Sequence, residues 1–275
     1  MNNYYKLSNG VLIPKIGLGT WQSEPNDCYF AVSEALKVGY RHIDTAYAYH
    51  NEKEVGMAIK DSKIKREEIF VTTKLPAEVK GYQNTIDKFY ESLSNLSLTY
   101  IDLYLIHAPW PWSEQGKDCS KENIESWRAM IDLYNKGLIK AIGVSNFNEK
   151  EILNLIDATN FKPHVNQIRY FVGNTQDSIT KYCQENDILI EAYSPFATGE
   201  VLENNILKEM ALKYNTSVSK ICLDFCLKNN TLPLPKSIHK ERIVDNFNID
   251  IDISDDDMKQ LNSLYHIAST RKYRD

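Results

Sequence analysis

Phe70-Val-Thr-Thr-Lys-Leu75, Asp102-Leu-Tyr-Leu-Ile-His107 and Ile139-Lys-Ala-Ile-Gly-Val-Ser145 are three short, mainly apolar runs. Between them, in Tyr82–Leu98 and Lys121–Lys136, apolar residues recur three and four positions apart. The runs lack the strict alternation of a half-exposed strand and fit strands buried on both faces, while the intervals carry helical periodicity. Strand, helix, strand in regular alternation requires parallel pairing, because the helix returns the chain to the end where the previous strand began.

Working outward, similar runs occur at Ile16–Leu18 and His42–Thr45 before this stretch, and at His164–Ile168, Ile188–Ser194 and Leu232–Lys236 after it. Helical patterns fill the intervals at Pro25–Val38, Asn51–Ser62, Glu149–Ala158, Asp177–Glu185, Asn205–Tyr214 and Ser217–Leu227. Eight strands with about eight helices suit closure into a (β/α)8 TIM barrel of the α/β class. Ser217 is placed to cap a helix start, and Gly137 follows Lys136 where a C-terminal glycine belongs. Ahead of the alternation, Asn9-Gly10 sits between short apolar runs and predicts an N-terminal β-hairpin with a two-residue type I′ turn, closing the barrel bottom. The acidic stretch Asp250–Asp257 predicts the solvated entry to a helix over Met258–His266, with carboxylates at its positive end, and the basic tail Arg271–Arg274 is expected to fray.

Composition narrows the class of protein. A chain of 275 residues allows two domains, but an α/β barrel runs to ~250 residues as one. No Pro-, Gly- or Ser-rich linker divides it, so residues 1–275 are expected to form a single domain. Net charge is −5 and no basic surface is evident, which argues against nucleic acid or an anionic membrane as partner. No run approaches ~18 consecutive apolar residues, so no membrane span is expected. The five cysteines are scattered without a CxxC pair, and the N-terminus lacks a basic start and apolar run. A cytoplasmic, reducing location is the expectation.

Gly17-Leu-Gly19-Thr-Trp-Gln22 begins like a dinucleotide fingerprint but has Gln22 in place of the third glycine, and the next helix opens late, at Pro25. No P-loop, H-E-x-x-H or G-x-S-x-G occurs, and no metal site is expected. In a barrel, chemistry gathers at the C-terminal ends of the strands. That rule selects Asp44, Lys74, His107, Ser145-Asn146, Gln167, Tyr193-Ser194 and Lys236-Ser237.

The segment Gly39-Tyr-Arg-His-Ile-Asp-Thr-Ala-Tyr-Ala-Tyr-His-Asn-Glu52, followed by Val55-Gly56, resembles the signature of the aldo-keto reductase superfamily. Thr73-Lys74-Leu75, Asp102–His107, Gly143-Val-Ser-Asn-Phe147, Val165-Asn-Gln167, Ala192-Tyr-Ser-Pro195 and Pro235-Lys-Ser237 follow in family order, from about Gly17 to Asn246. The set is similar to the compact microbial branch. The resemblance implies reduction of an aldehyde or ketone by NADPH, with Asp44, Tyr49, Lys74 and His107 as catalytic tetrad. Tyr49 would be the proton donor, chosen over Tyr47 by its spacing from Asp44. Lys74 would lower its pKa, Asp44 would hold Lys74 charged, and neutral His107 would orient the carbonyl oxygen.

For the cofactor, NADPH/NADP+, the resemblance implies Ser145, Asn146 and Gln167 on the carboxamide and Tyr193 stacked on the ring. Ser194 and Phe196 would lie along the pyrophosphate, and Thr20 and Trp21 at the ribose and substrate mouth, beside Asp44. Lys236, Ser237 and Arg242 would clamp the 2′-phosphate, with Asn246 near the adenine. Two cations around a phosphate favour NADPH over NADH. The substrate side would comprise Trp21, Tyr49, His107 and Trp110, within an apolar rim that also holds Trp112 and Phe196. Departures from the family pattern are Arg169 and Phe171 where a glutamate and often a histidine stand, His239-Lys240 in place of Thr/Asn-Pro, Asp245 in place of a glutamate, and Ala108-Pro-Trp-Pro-Trp112 after His107. The partner is expected to be a small-molecule carbonyl, and the protein a monomer. The alternatives are a non-catalytic NADPH-sensing regulator and, behind it, a Schiff-base lyase using Lys74.

Overall fold

The computed structural model describes residues 3–268. An antiparallel hairpin, β1 (Tyr4–Lys6) and β2 (Leu12–Pro14), precedes an eight-stranded parallel sheet in strict sequence order. Its strands are β3 (Leu18–Gly19), β4 (His42–Asp44), β5 (Phe70–Leu75), β6 (Ile101–Ile106), β7 (Ile139–Ser145), β8 (Val165–Arg169), β9 (Leu189–Tyr193) and β10 (Thr231–Leu234). The helices are α1 (Pro25–Val38), α2 (Glu52–Ser62), α3 (Tyr82–Leu96), α4 (Ser120–Asn135), α5 (Glu149–Thr159), α6 (Asp177–Glu185), α7 (Asn205–Lys213), α8 (Val218–Lys228), α9 (Lys240–Phe247) and α10 (Asp255–Asn262). The fold is the (β/α)8 barrel.

Closure between the first and last strands rests on single-direction hydrogen bonds. Gly17 N donates to Pro233 O at 3.2 Å and Gly19 N to Pro235 O at 3.0 Å. Pro233 and Pro235 have no N–H to return, so the seam is carried by one side's donors. Gly17 permits the approach: a Cβ there would stand 2.7 Å from Leu234 Cδ2 and 2.6 Å from His42 Nδ1.

Burial follows the two-faced character of the strands. Every residue of β5 and β6 is buried. Their outer sides join the large core under the helices, which includes Trp127, Met130 and Leu36. A second core fills the barrel's N-terminal end, where Leu7 and Ile13 of the hairpin pack with Phe70, Leu103, Leu105, Val165 and Leu232. The hairpin is therefore the plug of that end, and the opposite mouth is left for chemistry.

Two local expectations are corrected. The hairpin turn is not type I′: Gly10 N donates to Leu7 O, and Gly10 alone of the Asn9-Gly10 pair takes a positive φ, +89°. Asn9 bonds elsewhere, its Oδ1 accepting from Val11 N and its Nδ2 donating to Lys140 O, so the turn spans Leu7–Gly10 with glycine last. The final helix begins a turn earlier than Met258, because Ser254 accepts from Asp257 N as its cap and Asp255–Asp257 form the first turn. Helix α9 was not foreseen. Ser217 and Gly137 act as expected: Ser217 Oγ accepts from Lys220 N, and Gly137 takes φ +75° after α4. All five cysteines are buried and unpaired. The tail Arg271–Arg274 lies outside the described residues.

Candidate active site

The strand ends converge on a buried ion pair. Asp44 ends β4, and Lys74 sits near the end of the neighbouring β5. Lys74 Nζ donates to Asp44 Oδ1 at 2.7 Å, Asp44 Oδ2 at 2.9 Å and Thr45 O at 2.8 Å. Lys74 is fully buried, so solvent does not screen the pair. Burial pulls the lysine pKa down, but Asp44, Tyr49 and Glu191 together outweigh it and hold the ammonium above its ordinary value. Lys74 stays charged.

Tyr49 lies in the short 3-10 turn that follows β4, with Lys74 Nζ 5.0 Å from its ring centroid. The His107 imidazole meets the same ring edge-on, centroids 5.6 Å apart. Tyr47 points elsewhere, donating to Glu91 Oε2 and accepting from Lys88 on the helical surface. The expected lowering of the Tyr49 pKa is not the outcome. Burial raises it more than the Lys74 cation lowers it, with Asp44 adding to the rise. Tyr49 therefore holds its proton firmly.

His107 follows β6, its N–H donating to Leu75 O and its carbonyl accepting from Asn146 Nδ2. Burial, then Lys74 and Lys80, push it well below its ordinary pKa, so the ring is neutral. Its Nδ1 is buried with no hydrogen-bond partner. Trp112 stands edge-on to His107 at 5.4 Å, and Trp110 packs on Trp112 at 5.4 Å. The tryptophan against the imidazole is thus Trp112, with Trp110 behind it. Trp21 is 39% exposed at the mouth.

Beside the ion pair the remaining strand ends form one hydrogen-bonded chain. Ser145 Oγ donates to Gln167 O, Asn146 Nδ2 donates to Ser145 Oγ, and Tyr193 OH donates to Asn146 Oδ1 at 2.9 Å. Gln167 Nε2 donates to Asp44 Oδ2 and Glu191 Oε2, both at 2.8 Å. Thr20 Oγ1 donates to Asp44 O, and Asn51 Nδ2 donates to Thr20 O and Ser23 O. Ser194, in the left-handed region at φ +50°, turns the chain toward the half-buried Phe196.

At the seam Lys236 Nζ donates to Gln22 O at 3.3 Å, and Ser237 Oγ accepts from His239 N. Arg242 is exposed and makes no ion pair among the described residues, while Asn246 is buried on the same helix, α9. His239 leads α9 without a side-chain cap, which leaves first-turn N–H groups for an anion beside two cations. This donor set, with the unpartnered imidazole nitrogen at the other end of the site, fits a phosphorylated dinucleotide. Among the described residues no acidic, histidine or cysteine group is arranged to hold a metal.

Sequence reading missed three buried polar residues. Glu191 and His42 lie inside the barrel, with His42 Nε2 at 2.9 Å from Thr72 Oγ1 and 3.8 Å from Glu191 Oε1. Asn51 braces Thr20. A charged residue inside the apolar run Leu189–Tyr193 was the available signal for Glu191.

An eight-stranded parallel barrel with a plugged N-terminal end and polar residues gathered at the other mouth defines the class of barrel enzymes. The Aldo/keto reductase family profile matches residues 15–266. Glyoxal reductase of Bacillus subtilis (strain 168) is 41% identical over 261 residues, which cover 94% of this chain and 91% of that protein. An aldo-keto reductase from a Medee basin deep-sea metagenome library superposes with a TM-score of 0.91 at 41% identity, covering 98% of this chain and 97% of that one. A Bombyx mori aldo-keto reductase in complex with NADP gives 0.89 at 33% identity, covering 99% and 94%. The chain belongs to the aldo/keto reductase family of oxidoreductases.

Proposed function

We propose that this protein reduces small aldehydes, ketones or dicarbonyls with NADPH, Tyr49 giving the proton. The observation that carries the reading is the convergence of a buried Lys74–Asp44 pair, the Tyr49 ring and the neutral His107 at one strand-end cluster. NADPH, when bound, supplies the hydride that the carbonyl carbon accepts. His107 offers the carbonyl oxygen a neutral donor, which polarises the carbonyl without adding a charge. Tyr49, held protonated by burial, releases its proton only as that oxygen becomes strongly basic. Lys74 lies on the phenol's side and stabilises the phenolate that remains, and Asp44 with Thr45 O keeps the ammonium in place.

Ser145, Asn146 and Gln167 would hold the cofactor's carboxamide and Tyr193 its ring, with Thr20 and Trp21 near the ribose. Ser194 and Phe196 would line the pyrophosphate, and Lys236, Ser237, Arg242 and Asn246 the 2′-phosphate and adenine. Trp21, Trp112 and Trp110 border a mouth suited to small carbonyls, in keeping with a glyoxal reductase among the relatives. A monomer in the cytoplasm, folded as one domain, completes the reading. A Schiff-base role for Lys74 is disfavoured, because all three of its N–H groups are engaged and its pKa is raised, whereas an amine nucleophile needs it lowered.

The test is loss of NADPH absorbance with a panel of aldehydes, ketones and dicarbonyls, repeated with NADH. Turnover with kcat/KM at least tenfold higher for NADPH is expected. Equal values would remove the phosphate clamp from the reading, and tight binding without turnover on any carbonyl would favour the regulator.

A further inference from the structure

Gln167 sits between two buried carboxylates. Its Nε2 donates one hydrogen bond to Asp44 Oδ2 and one to Glu191 Oε2, each 2.8 Å, and Gln167, Asp44 and Glu191 are all buried. A primary amide has two N–H donors and one carbonyl acceptor. With both N–H groups spent on carboxyl oxygens, Gln167 has only its carbonyl oxygen to offer a ligand. Flipping the amide would set that oxygen against the Asp44 carboxylate and leave Oε2 of Glu191 without the N–H it accepts. The Asp44 side of this anchor is fixed independently by Lys74, and the other side depends on Glu191 alone.

We infer that Glu191 is a positioning residue: by accepting from Gln167 it locks the amide with its oxygen toward the cofactor, so that the site selects a carboxamide NH2 there. The inference rests on the proposed cofactor reading. It assigns no contact with cofactor or substrate to Glu191, which acts through Gln167. The surroundings suit this role. His42 from β4 approaches Glu191 Oε1 at 3.8 Å but is bonded to Thr72, and Oε1 has no hydrogen-bond partner. Besides His42, the ionisable groups bearing on Glu191 are Asp44 and Lys74, which are paired with each other. Burial and the Asp44 charge favour the uncharged carboxylic acid, which accepts through Oε2 as well as an amide does.

The test is NADPH affinity, read by protein fluorescence and without turnover, in four variants of the full chain. Glu191→Leu removes the acceptor and is expected to weaken NADPH about tenfold, equivalent to about 1.4 kcal/mol. Glu191→Gln restores an acceptor at the same place and is expected to bind within about twofold of the parent. Gln167→Ala should weaken binding, and in the double variant Glu191→Leu should add no further loss, since coupled residues do not act additively. Should Glu191→Leu fail to fold, Glu191→Thr, too short to reach Gln167, reads the same loss. A defect of Glu191→Leu that persists undiminished beside Gln167→Ala, or parental binding by Glu191→Leu, overturns the positioning role alone. Parental binding by Gln167→Ala overturns the cofactor reading and this inference with it.

Discussion

Tyr49 shows how one side chain's surroundings decide its use. The adjacent ammonium pulls toward phenolate, yet burial wins and the proton is retained. On the proposed mechanism Tyr49→Phe keeps the ring against His107 and loses only the proton. Its kcat should fall by roughly 10²–10⁴, the range of a lost general acid, while NADPH affinity stays within about twofold. Steady-state kinetics with a parallel binding titration check this, and retained turnover would move the acid elsewhere. The Lys74–Asp44 pair makes a second, sharper case. Lys74→Met leaves Asp44 ionised with its cation gone, a loss of about 3–5 kcal/mol of stability. Adding Asp44→Asn should recover most of that stability in urea melts but none of the turnover. Recovery of both would reduce the pair to a structural feature. At this scale the sequence made much legible: Asp44, Lys74 and His107 end apolar runs, where barrel chemistry is expected. Choosing Tyr49 over Tyr47 took the family resemblance, since nothing local separates two tyrosines two positions apart. Glu191 stayed hidden because its hydrogen-bond partner, Gln167, is 24 residues away on another strand.

The strands were readable because both-face burial leaves unbroken apolar runs, and Phe70–Leu75 and Ile139–Ser145 fall where the pattern put them. Helix α9 was not, because it has only eight residues, and three apolar positions at helical spacing, Ile243, Val244 and Phe247, are too few turns to stand out in the sequence. The hairpin turn failed for a related reason: Asn9 spends its amide on Lys140, a partner no local pattern shows. Loops are the least legible elements, and on the proposed reading the one after β6 sets the substrate side. It is tied down from two segments, the loop between β5 and α3 and helix α4. Lys80 Nζ donates to Ala108 O at 2.6 Å, Asn123 Nδ2 donates to Pro109 O at 2.7 Å, and Trp112 N donates to Glu78 Oε1 at 3.3 Å. Burial brings the Lys80 pKa down to about 8, and the charged or neutral amine can donate alike. Lys80→Met should loosen Trp112 from His107 and raise KM for the carbonyl several-fold, with NADPH affinity unchanged. A rise in the cofactor dissociation constant of equal size would show that the loop serves the whole site rather than the substrate side.

Over the whole molecule, buried titratable groups tie stability to pH in opposing directions. Burial lowers His42 from 6.5 to about 3 and holds His107 well below 6.5. Below pH 6.5 the unfolded chain therefore binds protons on these residues that the folded chain does not, and stability falls as pH falls toward about 3. Each such histidine contributes at most about 1.4 kcal/mol per pH unit. Glu191 runs the other way: burial, then the Asp44 charge, raises it from 4.5 to about 8. Between those values the folded chain holds a proton that the unfolded chain has lost, so stability falls as pH rises. From pH 4.5 to 6.5 the strongly shifted His42 and His107, with His164 also lowered by burial, oppose Glu191, and the net slope is upward. Above 6.5 the histidine contribution is complete, and the Glu191 loss continues to about pH 8. Thermal melts across pH 4 to 9 should accordingly peak near pH 6.5, with a steeper acid side. In Glu191→Gln the decline between pH 6.5 and 8 should flatten while the acid side is kept. A parent protein whose melting temperature climbs steadily to pH 8 would show that Glu191 is already ionised inside the barrel.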